Sequence, residues 1–474
     1  MNDEAPGLFI ENHTFDEMVV GDTASLTHSV AQRDIDLFAT VTGDVNPAHV
    51  DPEFAASDMF HHIIIHGMWG AGLISAVLGT RLPGPGAIYL GQDLRFLHPV
   101  SVGDTITATV TVAEKKPAKK DVVFDCRCVN QTDEVVVTGT AFIRAPTEKI
   151  RRARVALPSV RVDRHPESEK LLAQARGGAP VPTAVVCPVD AVSLSAALEA
   201  RTAGFIAPIL IGPENRIRAA ADAAGIDLSD CPVHAARDEV EAAAHAVALA
   251  RTGTVGMLMK GELHTETFLH PVLDSATGLK AGGLLSHVYL LDVPNYPRPL
   301  IVTDAAINIA PSLMEKACIV QNAIDFAQAI GIERPKVAIL AAIETVSTRM
   351  QATLDAAALC KMAERGQIKG GVLDGPLAFD NAISAAAAIE KGIVSAVAGQ
   401  PDILLVPNLE AGNILVKQMN FLSGAEAAAV VLGARLPIVL TSRADSARTR
   451  LISAALGVIL ARAGAQRGGA RRGG

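Results

Sequence analysis

Gly67-Met68-Trp69-Gly70-Ala71-Gly72-Leu73-Ile74-Ser75-Ala76-Val77-Leu78-Gly79-Thr80-Arg81 is a run with almost no polar face. Its length and composition predict a helix, and a helix that is apolar all round must be wrapped on most sides. Candidate wrappers follow at once, in the strand-like stretches 87–97, 104–114, 121–129 and 134–144. In Thr105-Ile106-Thr107-Ala108-Thr109-Val110-Thr111-Val112, threonines and aliphatics alternate strictly. That is the pattern of an antiparallel strand with one dry side. Residues 9–145 are therefore expected to form a curved antiparallel sheet around one buried helix.

Just upstream, Asp44 and His49 sit five positions apart across an Asn46-Pro47 break. A short helix over 33–42 would end at Gly43 as a left-handed cap. Asp51-Pro52-Glu53 starts another, with an N-cap, a proline and a first-turn acid. Asp44 and His49 are thus expected on a stiff non-helical segment between two helices. A paired carboxylate and imidazole is equipped for proton transfer.

A curved sheet around one helix is the α+β hot-dog architecture. Gly43-Asp44-Val45-Asn46-Pro47-Ala48-His49, His66-Gly67-Met68 and Ile88-Tyr89-Leu90-Gly91-Gln92-Asp93-Leu94-Arg95-Phe96 together resemble the (R)-specific enoyl-CoA hydratases, the MaoC-like dehydratases. The resemblance implies that Asp44 is the principal acid/base and that His49 helps it hold and deprotonate water. It also implies that the Gly67 N–H is an oxyanion donor to a thioester carbonyl. Independently of any family, Gly67 opens the helix, so its N–H and the positive helix end face a developing enolate. Ser75 matches a polar position that supports the site, or else bonds back to its own helical turn. His61, His62 and His66 raise the question of a metal, but no carboxylate completes a set; no metal is expected. The lysines at 115, 116, 119 and 120 read as a solvated hairpin loop, with CoA phosphate contact as the lesser alternative.

The chain of 474 residues is long enough for two or three domains. It is 49% hydrophobic and 19% charged, far from a disordered composition. A net charge of −8 argues against nucleic acid or an anionic membrane as the main partner. Six scattered cysteines without a C-x-x-C pair fit reduced thiols and a cytoplasmic home. The start of the sequence lacks an apolar signal core, and no stretch is long enough to span a bilayer.

Domains are expected at 1–147 and 170–463, with an Arg- and Pro-rich linker over 148–169 and a disordered Gly/Arg tail over 464–474. From residue 183 strands and helices alternate, which implies an α/β parallel sheet with sites at the carboxyl ends of its strands. The segments beginning at Lys260, Thr303, Asp374, Pro407 and Thr441 are polar and Gly-rich. In that order they resemble the phosphate acetyl/butyryltransferases, and Ser442-Arg443-Ala444-Asp445-Ser446 looks closer to the butyryl enzymes. The resemblance implies an isopropylmalate-dehydrogenase-like domain of two subdomains. It makes Arg443 the clamp on phosphate and transition state, and Ser442 the adjoining donor. The family's base falls on Thr449 by direct count, which leaves Asp445 as a substitute. Lys260 is placed to meet an acyl phosphate, and Asn413 and Lys417 to line the cleft.

The expected function is bifunctional: hydration of short trans-2-enoyl-CoA, or its reverse, and acyl exchange between CoA and phosphate. A second reading keeps the hydratase and makes the transacylase-like domain a non-catalytic acyl-CoA sensor. A nicotinamide-dependent dehydrogenase ranks last, for want of a G-x-G-x-x-G after the first strand. Neither leading reaction needs a cofactor beyond its acyl-CoA and phosphate substrates. Families that pair through both kinds of domain imply a homo-oligomer.

Overall fold

The computed structural model describes residues 9–158, 160, 162, 165–281, 283–294, 296–441 and 445–470, with side chains to residue 464. The chain divides into two units, 1–162 and 163–474.

The first unit is a hot-dog. Its five-stranded antiparallel sheet runs Thr23–Ser29, Thr105–Lys116, Asp121–Val129, Val135–Arg144, Ile88–Phe96. The apolar helix Gly67–Thr80 lies against its concave face, with Ile74, Val77 and Leu78 in one core with Ile106, Val110, Phe124 and Ile143. Each large aliphatic buried there stabilises the unit by about 1.5–3 kcal/mol. Gly70 keeps the helix close, since a Cβ would lie 3.2 Å from Val137 Cγ2. On Thr105–Lys116 the aliphatics point inward, while the outer hydroxyls pair with a strand that the sequence pattern does not reveal. Ser25–Thr109, Thr27–Thr107 and Ser29–Thr105 lie 2.9–3.0 Å apart. Cys126 and Cys128 share the inner face as free thiols, and burial pushes both up to about 12. The hairpin ammonium groups of Lys115 and Lys120 fold over the Phe15 ring, at 4.5 and 4.6 Å from its centroid.

Three expected boundaries move. Arg151–Ala153 is not linker but a strand paired with Phe9–Glu11. Buried Asn12 ties this return down, donating from Nδ2 to the Glu148 carbonyl at 2.8 Å and accepting from the Ile150 N–H at 2.8 Å. At the other end, Pro166–Arg176 is already a helix of the second unit. The final helix Ala447–Ala470 runs through 464–470, where a disordered tail was expected. Extending a formed helix needs no new nucleus. The last four residues lie outside the described ones.

The second unit is built on an eleven-stranded sheet. Its order is Val233–Ala235, Ile206–Gly212, Val181–Val186, Met257–Lys260, Ile438–Val439, Glu426–Leu432, Ser286–Asp292, Leu300–Thr303, Ile403–Leu405, Lys336–Leu340, Val372–Leu377. The two wings are parallel, as expected. The centre corrects the all-parallel expectation, because Ser286–Asp292 runs antiparallel to both neighbours and Glu426–Leu432 antiparallel to Ile438–Val439. The connectors 293–299 and 433–437 are too short for a crossover, so they return as hairpins. No helix among the described residues is long and apolar enough to cross a membrane.

Candidate active sites

In the first unit, helix Gln32–Thr42 ends at Gly43, whose φ of 74° is the left-handed cap read from the sequence. Asp44 follows in irregular backbone, exposed, its Oδ1 accepting the Asn46 N–H at 3.2 Å. His49 differs from expectation, because it lies on a single helical turn, Pro47–Val50. Asn46 causes this by accepting the Ala48 N–H at 3.2 Å, with Pro47 pre-set for the first helical position. Asp51 caps the next helix as read, accepting from the Glu53 and Phe54 N–H groups.

The ring of His49 is oriented by Nδ1, which donates to the Ile64 carbonyl at 2.8 Å. That bond assigns the lone pair to Nε2, the nitrogen able to take a proton. Buried His66 adds what the sequence pattern left unassigned. Its Nε2 donates to the Asp44 carbonyl at 3.0 Å, and its ring lies 4.0 Å from that of His49 and 4.9 Å from that of Phe38. Asp44, His49 and His66 offer donor atoms all within 4.8 Å of one another. Asp44 thus corrects the expectation that no carboxylate completes a set with these histidines, and one ring nitrogen of each histidine donates to a backbone carbonyl, His49 to Ile64 and His66 to Asp44. His61 and His62 stand apart, His62 Nε2 being bonded to Ser101 Oγ at 2.7 Å. In the sequence His66 stood in the His66-Gly67-Met68 motif and among three neighbouring histidines, neither of which assigned it this role.

Gly67 is the first residue of the buried helix, where the backbone N–H has no intrahelical acceptor. A Cβ there would stand 3.2 Å from the Phe96 ring. Two cavities meet at His66 and Gly67. One, of about 260 Å³, is walled by apolar groups including Ile64, Trp69, Phe96, Ile106 and Val137, with His49 at its edge. The other is an open recess lined by Asp44, Ser75, Tyr89 and Gln92. Ser75 faces this recess, and among the described residues it makes no bond to its own turn. Gln92 accepts from the Tyr89 hydroxyl at 2.6 Å, and its buried Nε2 has no partner among the described residues.

In the second unit a cavity of about 250 Å³ opens at the carboxyl ends of Val181–Val186, Met257–Lys260 and Ile438–Val439. Lys260 lies in its wall, as expected, buried, with Nζ 3.3 Å from the Gly261 carbonyl. Arg450 joins it, and sequence reasoning missed this residue. Its buried guanidinium donates from Nη1 to Thr441 Oγ1 and from Nε to the Asp445 carbonyl, both at 3.3 Å. Arg450 therefore ties together the two ends of the segment that holds Ser442 and Arg443. Those two residues lie outside the described ones. Asp445 is half-buried beside this segment. The cap of the following helix is Ser446, whose Oγ accepts the Thr449 N–H at 3.1 Å and lies 3.0 Å from Thr449 Oγ1. Thr449 is thereby occupied with the cap.

Asn413 and Lys417 are not among the residues lining this cavity. Asn413 Nδ2 donates to the Ala305 carbonyl at 3.2 Å, bracing the loop after Leu300–Thr303, and Lys417 is exposed. Within that loop the buried Asp304 carboxylate accepts the Ala306 and Ile307 N–H groups at 3.0 and 3.1 Å. His287 is fully buried near Asp304, and burial pushes it down to about 4, so the ring is neutral.

Residues 17–134 match the MaoC like domain family, and residues 231–458 match the phosphate acetyl/butaryl transferase family. A phosphate acetyltransferase of Rhizobium meliloti is 55% identical over 293 residues, 62% of this chain and 93% of that one. Among solved structures, a branched-chain phosphotransacylase from Enterococcus faecalis V583 is 28% identical. It covers 59% of this chain and 99% of its own, with a TM-score of 0.53. An unliganded (R)-hydratase from Pseudomonas aeruginosa is 45% identical, over 32% of this chain and 99% of its own, with a TM-score of 0.32.

Proposed function

We propose, for a chain that belongs to the phosphate acetyl/butaryl transferase family and carries a MaoC-like domain ahead of it, two acyl-CoA activities in one polypeptide. The first unit hydrates a short trans-2-enoyl-CoA to the (R)-3-hydroxyacyl-CoA, or runs the dehydration. The second exchanges an acyl group between CoA and inorganic phosphate.

The observation that carries the first reading is the meeting of Asp44, His49 and the Gly67 amide around one recess and one apolar cavity. The acyl chain occupies the apolar cavity and the thioester carbonyl accepts from the Gly67 N–H. Water is held between the Asp44 carboxylate and His49 Nε2, loses a proton to them, and adds to C3. The electrons pass to the thioester oxygen, where the Gly67 N–H and helix end stabilise the enolate, and Asp44 returns a proton to C2. Losing one such oxyanion donor lowers kcat by about 10²–10³ in comparable sites.

In the second unit phosphate attacks the thioester carbonyl carbon, the C–S bond breaks, and the phosphate proton passes to the departing CoA thiolate. Lys260, Arg443 and Arg450 neutralise the phosphate, Ser442 donates beside it, and Asp445 handles the proton. The occupation of Thr449 by the Ser446 cap supports Asp445 over Thr449 in that role. Neither reaction requires a metal or a further cofactor. One buried cluster runs under both wings of the sheet, and two further clusters each belong to a single wing, which supports two subdomains of the isopropylmalate-dehydrogenase kind. Exposed Ile88, Tyr89 and Leu90 on an edge strand support a homo-oligomer, and free thiols support a cytoplasmic site of action.

Purified full-length protein tests the proposal with crotonyl-CoA, and separately with acetyl- or butyryl-CoA plus phosphate. Loss of enoyl absorbance in the first assay and phosphate-dependent thiol release in the second are expected. Effects of acyl-CoA on hydration without any such release would instead favour a sensor domain.

A further inference from the structure

The strand-end cavity of the second unit has a wall suited to more than an anion. Lys260 and Arg450 bring two buried cationic side chains to it, sufficient for a phosphate. Asp190 and Glu262 line the same space. A carboxylate opposes phosphate but accepts a hydroxyl proton. Asp190 Oδ1 already accepts from the Ser193 N–H at 3.2 Å and from the Ser193 hydroxyl. Its Oδ2 has no hydrogen-bond partner among the described residues.

The rest of the lining is polar too, and Val192 is its one branched aliphatic side chain among the described residues. A plain aliphatic acyl chain is normally met by an apolar wall. The cavity beside Gly67 in the first unit has such a wall, and this one does not. The product of the first unit's proposed reaction differs from a plain acyl-CoA by one hydroxyl at C3.

Resting on the transacylase reading above, we propose that the second unit takes 3-hydroxyacyl-CoA as its acyl donor. The C3 hydroxyl donates to Asp190, while Lys260 and Arg450 hold the phosphate. The phosphate oxygen forms the new C–O bond as the C–S bond breaks. The phosphate proton ends on the CoA sulfur, and the products are 3-hydroxyacyl phosphate and free CoA. The two activities are then consecutive, the hydroxyl installed by the first unit being the feature read by the second. A reaction that consumes a hydroxyacyl phosphate, such as phosphoryl transfer to a nucleotide, must follow.

The test gives the full chain phosphate with acetyl-CoA, butyryl-CoA or (R)-3-hydroxybutyryl-CoA in turn. Thiol release is followed, and the acyl phosphate is trapped with hydroxylamine and identified by mass, which separates hydroxybutyryl from crotonyl product. The hydroxy thioester is expected to exceed butyryl-CoA in kcat/KM by about tenfold, the scale of one hydrogen bond to a charged group. Asp190→Asn retains a helix-capping side chain but not the charge, and is expected to abolish that preference. A preference for butyryl-CoA, or a hydroxy preference that Asp190→Asn leaves intact, overturns the proposal. Turnover of none of the three overturns the transacylase reading, and this proposal with it.

Discussion

His66 donates its Nε2 proton to the Asp44 carbonyl at 3.0 Å while its ring packs on His49, centroids 4.0 Å apart. One buried side chain thus holds the backbone of the proposed acid/base and the face of its partner. It is also the residue immediately before Gly67, the proposed oxyanion donor.

That relationship predicts a graded response. His66→Leu fills the space without a donor, and His66→Gln restores one. Crotonyl-CoA hydration is expected to fall about tenfold in kcat for the leucine variant, the scale of one lost buried hydrogen bond, and to recover substantially for glutamine. Steady-state kcat and KM for the two variants check this, and equal loss in both would argue for packing alone.

Arg450 predicts the corresponding effect in the second unit. Its guanidinium bonds both Thr441 and the Asp445 carbonyl and lines the strand-end cavity. Arg450→Gln is expected to raise KM for phosphate about tenfold or more, and Arg450→Lys to recover part of that, since lysine keeps the charge without the fork. Hydration of crotonyl-CoA by the same preparation serves as the internal control and is expected to stay at the wild-type rate.

His287 predicts a pH dependence of stability. Above its ordinary value of 6.5 the ring is neutral in both folded and unfolded chains, and its titration has no effect. As pH falls from 6.5 towards about 4, the unfolded chain takes up a proton that the buried ring resists. Stability is therefore lost across that window, by roughly 3 kcal/mol in all. Denaturant unfolding at pH 7 and pH 5 is expected to show a smaller acid-side loss for His287→Gln than for the wild type.

Much of this architecture was legible because period and burial agree along the chain. The helix Gly67–Thr80 and the strand Asp121–Val129 stand where apolar patterning put them. Thr23–Ser29 was hidden because it offers only Ala24 and Leu26 to the core, and its outer hydroxyls gain meaning only opposite Thr105–Thr109. The antiparallel centre of the large sheet was hidden because Ser286–Asp292 is buried on both faces, so its composition carries no direction. At the sites, the Gly43 and Asp51 caps that flank Asp44 and His49 were readable from their turn chemistry. His66 and Arg450 were not, because each acts by holding a backbone carbonyl, and such a bond leaves no spacing in the sequence.

The central claim is that one chain holds two separable active sites, and paired single variants test it most directly. Asp44→Asn and Arg443→Ala are each assayed for crotonyl-CoA hydration and for phosphate-dependent CoA release. The account predicts that Asp44→Asn loses hydration alone and Arg443→Ala loses CoA release alone. Survival of both activities in both variants would contradict it.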